Sequence, residues 1–123
     1  MPKDFLEKET IFHIETSELA ANVHVRKDGR IIDGLARYHG DIKYYLVSGK
    51  VSERDGEYRV FFKTVIPKSY RTEQFFKAHR KHTIEGDYEG RTQGPGYNVP
   101  SLVTLTQGFK SIRDADVSAD VAV

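Results

Sequence analysis

The sequence predicts a mainly β protein, a small five-stranded Greek-key barrel with one short helix between its third and fourth strands. Three observations carry that expectation. From Val23 onward, short runs rich in β-branched and aromatic residues alternate with turn residues. Asp55-Gly56, flanked by two such runs, is among the strongest two-residue hairpin signals. Pro67 ends a strand pattern, and Ser69 or Thr72 behind it can cap a short helix running to about Lys81.

Taken in order, the runs are Val23 to Arg26, Arg30 to Tyr38 and Ile42 to Ser52, separated by Asp28-Gly29 and by His39-Gly40-Asp41. The hairpin turn and its returning strand follow. The helix would set Phe75, Phe76 and His79 on one side. Two last strands, Thr83 to Arg91 and Leu102 to Phe109, flank Gly94-Pro95-Gly96 and Pro100, which read as one long loop. No repeat or linker divides the chain, so it reads as one domain, with the barrel over 23–110, an N-terminal extension over 1–22 and a flexible, weakly acidic tail over 111–123. The extension leaves three options open: a helix start at Phe5 and Leu6, a strand at Ile11 to Ile14, and a helical turn at Ser17 to Ala21.

With 38% hydrophobic residues and both signs of charge, the chain is too apolar and too balanced for a disordered one. No run reaches the roughly 18 apolar residues of a membrane-spanning helix, and the charged Glu7-Lys8-Glu9 stands where a signal peptide would be apolar, so a cytoplasmic protein with no membrane partner is expected. Zero cysteines exclude disulfides, thiol nucleophiles and Cys-ligated metals. The net charge of +1 conceals a gradient: 2 Lys/Arg against 5 Asp/Glu over 1–25, 14 against 7 over 26–81, and 3 against 6 over 82–123, or −3, +7 and −3. A basic middle suits an anionic partner such as nucleic acid, because clustered Lys and Arg release counterions from phosphates.

The hairpin sorts core from surface. Register around Asp55-Gly56 pairs Val51 with Val60, Gly49 with Phe62 and Val47 with Thr64 on an apolar face. The opposite face pairs Ser52 with Arg59, Lys50 with Phe61, Ser48 with Lys63 and Leu46 with Val65, with Tyr44 near its end. Strand side chains alternate, so Phe61 stands between Arg59 and Lys63 and across from Lys50. An aromatic framed by cations can stack on any base for about 1–3 kcal/mol while the cations follow phosphates. The other reading buries Phe61 under the helix or the N-terminal segment, with Arg59 and Lys63 reaching past it. Tyr97, in a Gly/Pro loop, is a further exposed candidate.

Catalytic patterns are sparse. His79 and His82, with Arg80 and Lys81 to hold phosphate, supply the groups an acid/base RNA-cleaving enzyme needs, but no carboxylate stands among them to complete a metal triad. Glu85, Asp87 and Glu89 alternate along a strand as a candidate cation site, against which stands the ordinary solvated face. The glycines of 94–96 match no phosphate-binding fingerprint. No catalytic residue, metal or cofactor is therefore assigned.

The segment Phe75-Phe76-Lys77-Ala78-His79-Arg80-Lys81, then Ile84-Glu85-Gly86-Asp87-Tyr88-Glu89-Gly90-Arg91, then a loop and Leu102-Val103-Thr104-Leu105, resembles the second half of OB-fold single-stranded DNA-binding proteins. The resemblance covers roughly residues 30 to 110 and rests mostly on element order. It implies an OB-like barrel that binds single strands on the face of its second and third strands and in the adjoining loops. By position, that face contains Lys50, Arg59, Phe61 and Lys63, with Arg91 and Tyr97 in the final loop. The expectation is a non-enzymatic protein whose partner is single-stranded nucleic acid, with Phe61, Tyr97 and Tyr44 as stacking platforms and Lys50, Arg59, Lys63 and Arg91 as phosphate contacts. The alternative is a small protein-binding accessory module, of phage or plasmid type, using the same face. Edge strands in so small a barrel leave room for a homodimer.

Overall fold

The structure, a computed structural model, describes residues 4–112. Eight antiparallel strands close into a barrel: β1 (Thr10–Glu15), β2 (Leu19–Val25), β3 (Arg30–Tyr38), β4 (Tyr44–Arg54), β5 (Glu57–Val65), β6 (Thr72–Lys81), β7 (Gly86–Gly94) and β8 (Tyr97–Gln107). Each strand pairs with the next, and β1 pairs with β8, so the order is an up-and-down meander. The mainly β barrel is as expected; the five-stranded Greek key is not, because residues 10–25 add two strands, 72–81 a third, and every connection joins neighbours. Of the options at the N-terminus, Ile11 to Ile14 forms strand, and Ser17 to Ala21 turns into β2 instead of a helix.

The expected helix is β6. Its burial alternates strictly, Gln74, Phe76 and Ala78 inward and Phe75, Lys77 and His79 outward, a period of two that adjacent Phe75 and Phe76 disguise as a helical face. The positive φ of Lys68 and Tyr70 breaks the stretch where a helix would start, and Ser69 Oγ accepts from the Arg71 amide instead of capping a helix. Nor is 94–100 a long loop. Gly94 pairs directly with Tyr97, so Pro95-Gly96 is a two-residue hairpin turn, with Tyr97 and Pro100 already in β8. Where the sequence signal is strongest the structure follows it: Asp55 and Gly56 both take positive φ, as a tight turn of the primed type requires, and the β4–β5 register runs from Arg54 with Glu57 to Leu46 with Val65 as expected.

The core is the barrel interior. Phe12, Ile14, Val23, Val51, Val60, Phe62, Phe76, Val103 and Leu105 fill it, and the rings of Phe62 and Phe76 stack at 4.4 Å and 8°. Eight strands enclose a lumen about as wide as such side chains can fill. Gly49 lets β4 coil, since its φ is +149° and a Cβ there would lie 2.1 Å from the Phe61 carbonyl oxygen. One end of the barrel is plugged: the Phe5 and Leu6 amides donate to the Lys27 carbonyl (3.0 and 3.1 Å), and Phe5 sets its ring edge against Tyr58. On the outside, residues 108–112 lie against β1 and β2, where Asn22 exchanges two hydrogen bonds with the Lys110 backbone and His13 is enclosed between Asn22 and Glu15. Of the tail expected over 111–123, Ser111 and Ile112 belong to this outer segment, with Ile112 buried, and the rest lies outside the described residues.

Two stability predictions follow from the core. Phe62→Ala removes a ring with no exposed surface and one half of a stacked pair, so it should lower unfolding free energy by about 3–5 kcal/mol in chemical denaturation; a loss below about 1 kcal/mol would contradict the packing described. Tyr88 is buried, with its hydroxyl donating to the Ile84 carbonyl (2.6 Å), and burial pushes its phenol well above the ordinary value. The folded state thus holds that proton more tightly than the unfolded chain, so the stabilisation is whole below about pH 10 and drains away as pH rises further. Tyr88→Phe should flatten the alkaline fall in stability; an unchanged fall would place its origin elsewhere.

Candidate nucleic-acid interface

The outer wall of β4 to β7 gathers most of the residues singled out from the sequence. Register carries one row across four strands: Lys50, Phe61, Lys77 and Arg91. At the usual strand spacing that row is about 14 Å long. The row on one side reads Ser52, Arg59, His79 and Glu89, and the row on the other Ser48, Lys63, Phe75 and Gln93. Alternation produces this wall, since the residues between these positions point into the core. An open groove of about 740 Å³ runs over it, bordered by Arg59, Phe61, Lys77, His79, Lys81 and Arg91.

Phe61 is half-buried on this outer wall and not under a covering segment. Its ring lies 5.9 Å from that of Phe75 at 33°, and the Lys77 ammonium sits 5.6 Å over its centroid. Phe75 is 37% exposed, so the pair presents a flat apolar surface set among cations. The arginines are held more firmly than the lysines. Arg91 donates from Nε to the Asn98 side-chain oxygen (2.7 Å) and from Nη2 to the Asn98 carbonyl (3.0 Å). Arg59 donates from Nε to Glu57 (2.9 Å), a pair at the solvent surface worth little to stability but enough to position the guanidinium.

Two sequence candidates lie elsewhere. Tyr44 is on the outer side of β4 but six residues from Lys50, roughly 20 Å along the strand. It stands opposite Arg37, whose guanidinium carbon is 5.6 Å from its ring centroid, and borders a separate apolar groove with Ile11, Leu35, Phe109 and Ile112. Tyr97 faces the lumen as the first residue of β8, and its hydroxyl accepts from Gln74 Nε2. Neither stands beside Phe61. Conversely, Phe75, Lys77, His79 and Lys81 join the wall together, whereas a helix over 72–81 would keep Phe75 with His79 and turn Lys77 and Lys81 to its other side; their alternation with Phe76 and Ala78 is the signal that places them.

The catalytic alternatives lose their geometry. His79 is in a strand and His82 in the following turn with φ 81°, so no helical face unites them. Asp87 accepts from the Thr104 hydroxyl (2.8 Å) and Glu85 from the Gln107 amide (3.0 Å), and Glu85 precedes the strand, so the three carboxylates form no common site. Among the described residues no group of three His, Asp or Glu converges for a metal ion. No helix among them is long and apolar enough to cross a membrane.

The hydrogen bond from Arg59, then its charge, holds the Glu57 carboxyl below its ordinary value. A carboxyl depressed in the folded state contributes stability that is present above its unfolded value and lost as pH falls through the folded one. In a carbon-detected NMR titration, Arg59→Ala should return the Glu57 midpoint upward toward the ordinary value; a midpoint that does not move would show the ion pair to be absent in solution. Comparison with protein-family models, with curated proteins and with solved structures finds no match to the chain.

Proposed function

We propose that the chain is a non-enzymatic binder of single-stranded nucleic acid, which lies across the outer wall of β4 to β7. The observation that carries this reading is the row Lys50, Phe61, Lys77 and Arg91, with the Lys77 ammonium over the Phe61 ring and Phe75 beside it. The reading rests on these side chains and not on barrel type, since the up-and-down order differs from the element order of the OB-fold family.

Magnitudes favour the exchange that binding requires. An exposed cation–π contact is worth about 0.5–1 kcal/mol, whereas a base stacked on an aromatic ring gains about 1–3 kcal/mol. A base can therefore displace Lys77 from Phe61, and the freed ammonium then takes a phosphate. Lys50, Lys63 and Lys81 stand on the same wall, while Arg59 and Arg91 offer guanidinium groups held by hydrogen bonds at two positions of the groove. A duplex keeps its bases stacked internally and gains only the phosphate contacts.

The test is fluorescence anisotropy of a labelled mixed-sequence single strand at two salt concentrations with a duplex competitor. Binding should prefer the single strand and weaken with salt, with a slope near −3 in a log–log plot for about four phosphate contacts. Phe61→Ala and Phe75→Ala should each weaken it by about 5- to 100-fold. Unchanged affinity in the double variant would rule out the stacking wall. Absence of binding at low salt would transfer the same basic wall to a protein partner, as in the accessory-module reading.

A further inference from the structure

The outer face of β1 and β2 is covered by a strap, residues 108–112, fixed at two places. At its start Gly108 takes a φ of +106° and its amide donates to the Ile11 carbonyl (2.8 Å). Further on, the Asn22 side chain holds both backbone groups of Lys110: the Lys110 amide donates to Asn22 Oδ1 (3.1 Å), and Asn22 Nδ2 donates to the Lys110 carbonyl (2.6 Å). Under the strap lies His13, 2% exposed, with Nδ1 2.9 Å from Asn22 Oδ1 and Nε2 3.1 Å from Glu15 Oε1. Phe109 and Ile112 of the strap form one wall of the apolar groove, about 360 Å³, that Ile11, Leu35 and Tyr44 line from the barrel.

These contacts fix which atoms carry protons. Lys110 offers one donor and one acceptor, so the Asn22 amide stands in one orientation, with its oxygen toward the Lys110 N–H. His13 Nδ1 therefore faces an acceptor, and Nε2 faces a carboxylate, also an acceptor. A neutral imidazole has a single N–H, so it satisfies one of them and turns a lone pair on the other. Only the imidazolium donates to both. Its charge is paired with Glu15, and both of its N–H groups are hydrogen-bonded, which is what lets a charge stand inside a protein. The other charged and titratable groups around it are Lys110, whose side chain is exposed, and His24 along β2, whose Nε2 meets Glu9 at 3.0 Å. Thr106, its partner on β8, is neutral.

From this geometry we infer that the strap is latched by a proton: it closes as His13 takes up its second ring proton and is released as that proton leaves to solvent. The proton that remains stays on Nε2, because a hydrogen bond to a carboxylate is the stronger of the two. Nδ1 then presents a lone pair to Asn22 Oδ1. Turning the Asn22 amide over restores a donor there, but it sets Nδ2 against the Lys110 N–H and Oδ1 against the Lys110 carbonyl. Both hydrogen bonds to the strap are then lost. The closed strap binds one proton more than the open one, so by linkage it is favoured at low pH and lost as pH rises. With it goes one wall of the apolar groove. The latch stands apart from the wall of β4 to β7 and does not depend on what that wall binds.

Solvent exchange of the Lys110 amide, measured by NMR relative to a free amide at the same pH, reports the latch. Between about pH 5 and about pH 8, where histidine changes charge, its protection should fall about 10-fold or more as the two hydrogen bonds are lost. The imidazole nitrogen shifts of His13 should show both nitrogens protonated at the acid end and the Nε2–H form at the alkaline end. Glu15→Gln offers Nε2 a donor, lets the single ring proton sit on Nδ1, and should keep Lys110 protected throughout. Asn22→Ala should leave Lys110 unprotected throughout. The Phe62 amide, deep in β5, should stay protected in every variant, which separates strap release from unfolding. Constant Lys110 protection in the unaltered protein, a neutral Nδ1–H His13 under a closed strap, or an unchanged pH dependence in Glu15→Gln would each overturn the proposal.

Discussion

The seam between β1 and β8 is short, four residue pairs from Phe12 with Gln107 to Glu15 with Thr104, and the rest of the structure depends on it. Closing the sheet there gives every strand side chain one of two faces, the lumen or the outer wall, and the outer wall is covered by residues 108–112 at β1 and β2, where His13 is buried. Phe12, Ile14 and Leu105 meet inside the seam and are buried. A slip of one residue would send them outward and bring polar side chains in, so packing and register enforce each other. Closure also requires strong coiling, supplied by register shifts at His24/Val25, between Ile31 and Leu35 and at Thr64/Val65, together with Gly49.

That division explains how the charges come to be arranged. In a meander, neighbours in sequence are neighbours in space, so the positive excess over residues 26–81 stays together as the strands β3 to β6. On β5 and β6 the cations share the outer face with Phe61 and Phe75, because Phe62 and Phe76 already occupy the matching inner positions. At the end of the barrel opposite the Phe5 plug both signs meet, Glu18, Asp41 and Glu73 beside Lys43, Lys68 and Arg71. The basic excess is thus concentrated on one wall of the barrel, which suits a ligand of opposite sign.

Much of the wall was legible before any coordinates. Asp55-Gly56 sets the hairpin through its positive φ values, and alternation then places Lys50, Arg59, Phe61 and Lys63 on one face. Beyond the hairpin, local signals mislead. Pro67, Ser69 and Thr72 are as compatible with a helix start as with the turn they form, and only pairing with β5 and β7 on both sides decides for strand. Pro95-Gly96 closes a tight hairpin that looks from composition like a long loop, so Tyr97 appears free when it faces the lumen. The contact of Asn22 with Lys110 was not legible, since the two are far apart in sequence and meet only through closure.

Amide chemical-shift mapping during titration with a short oligothymidine tests the central claim most directly. The account predicts that the perturbed amides trace Lys50, Arg59, Phe61, Lys63, Phe75, Lys77 and Arg91, while Ile11, His24 and Leu35 on the far wall stay unmoved. Perturbations centred on that far wall, or none at saturating oligonucleotide, would contradict it.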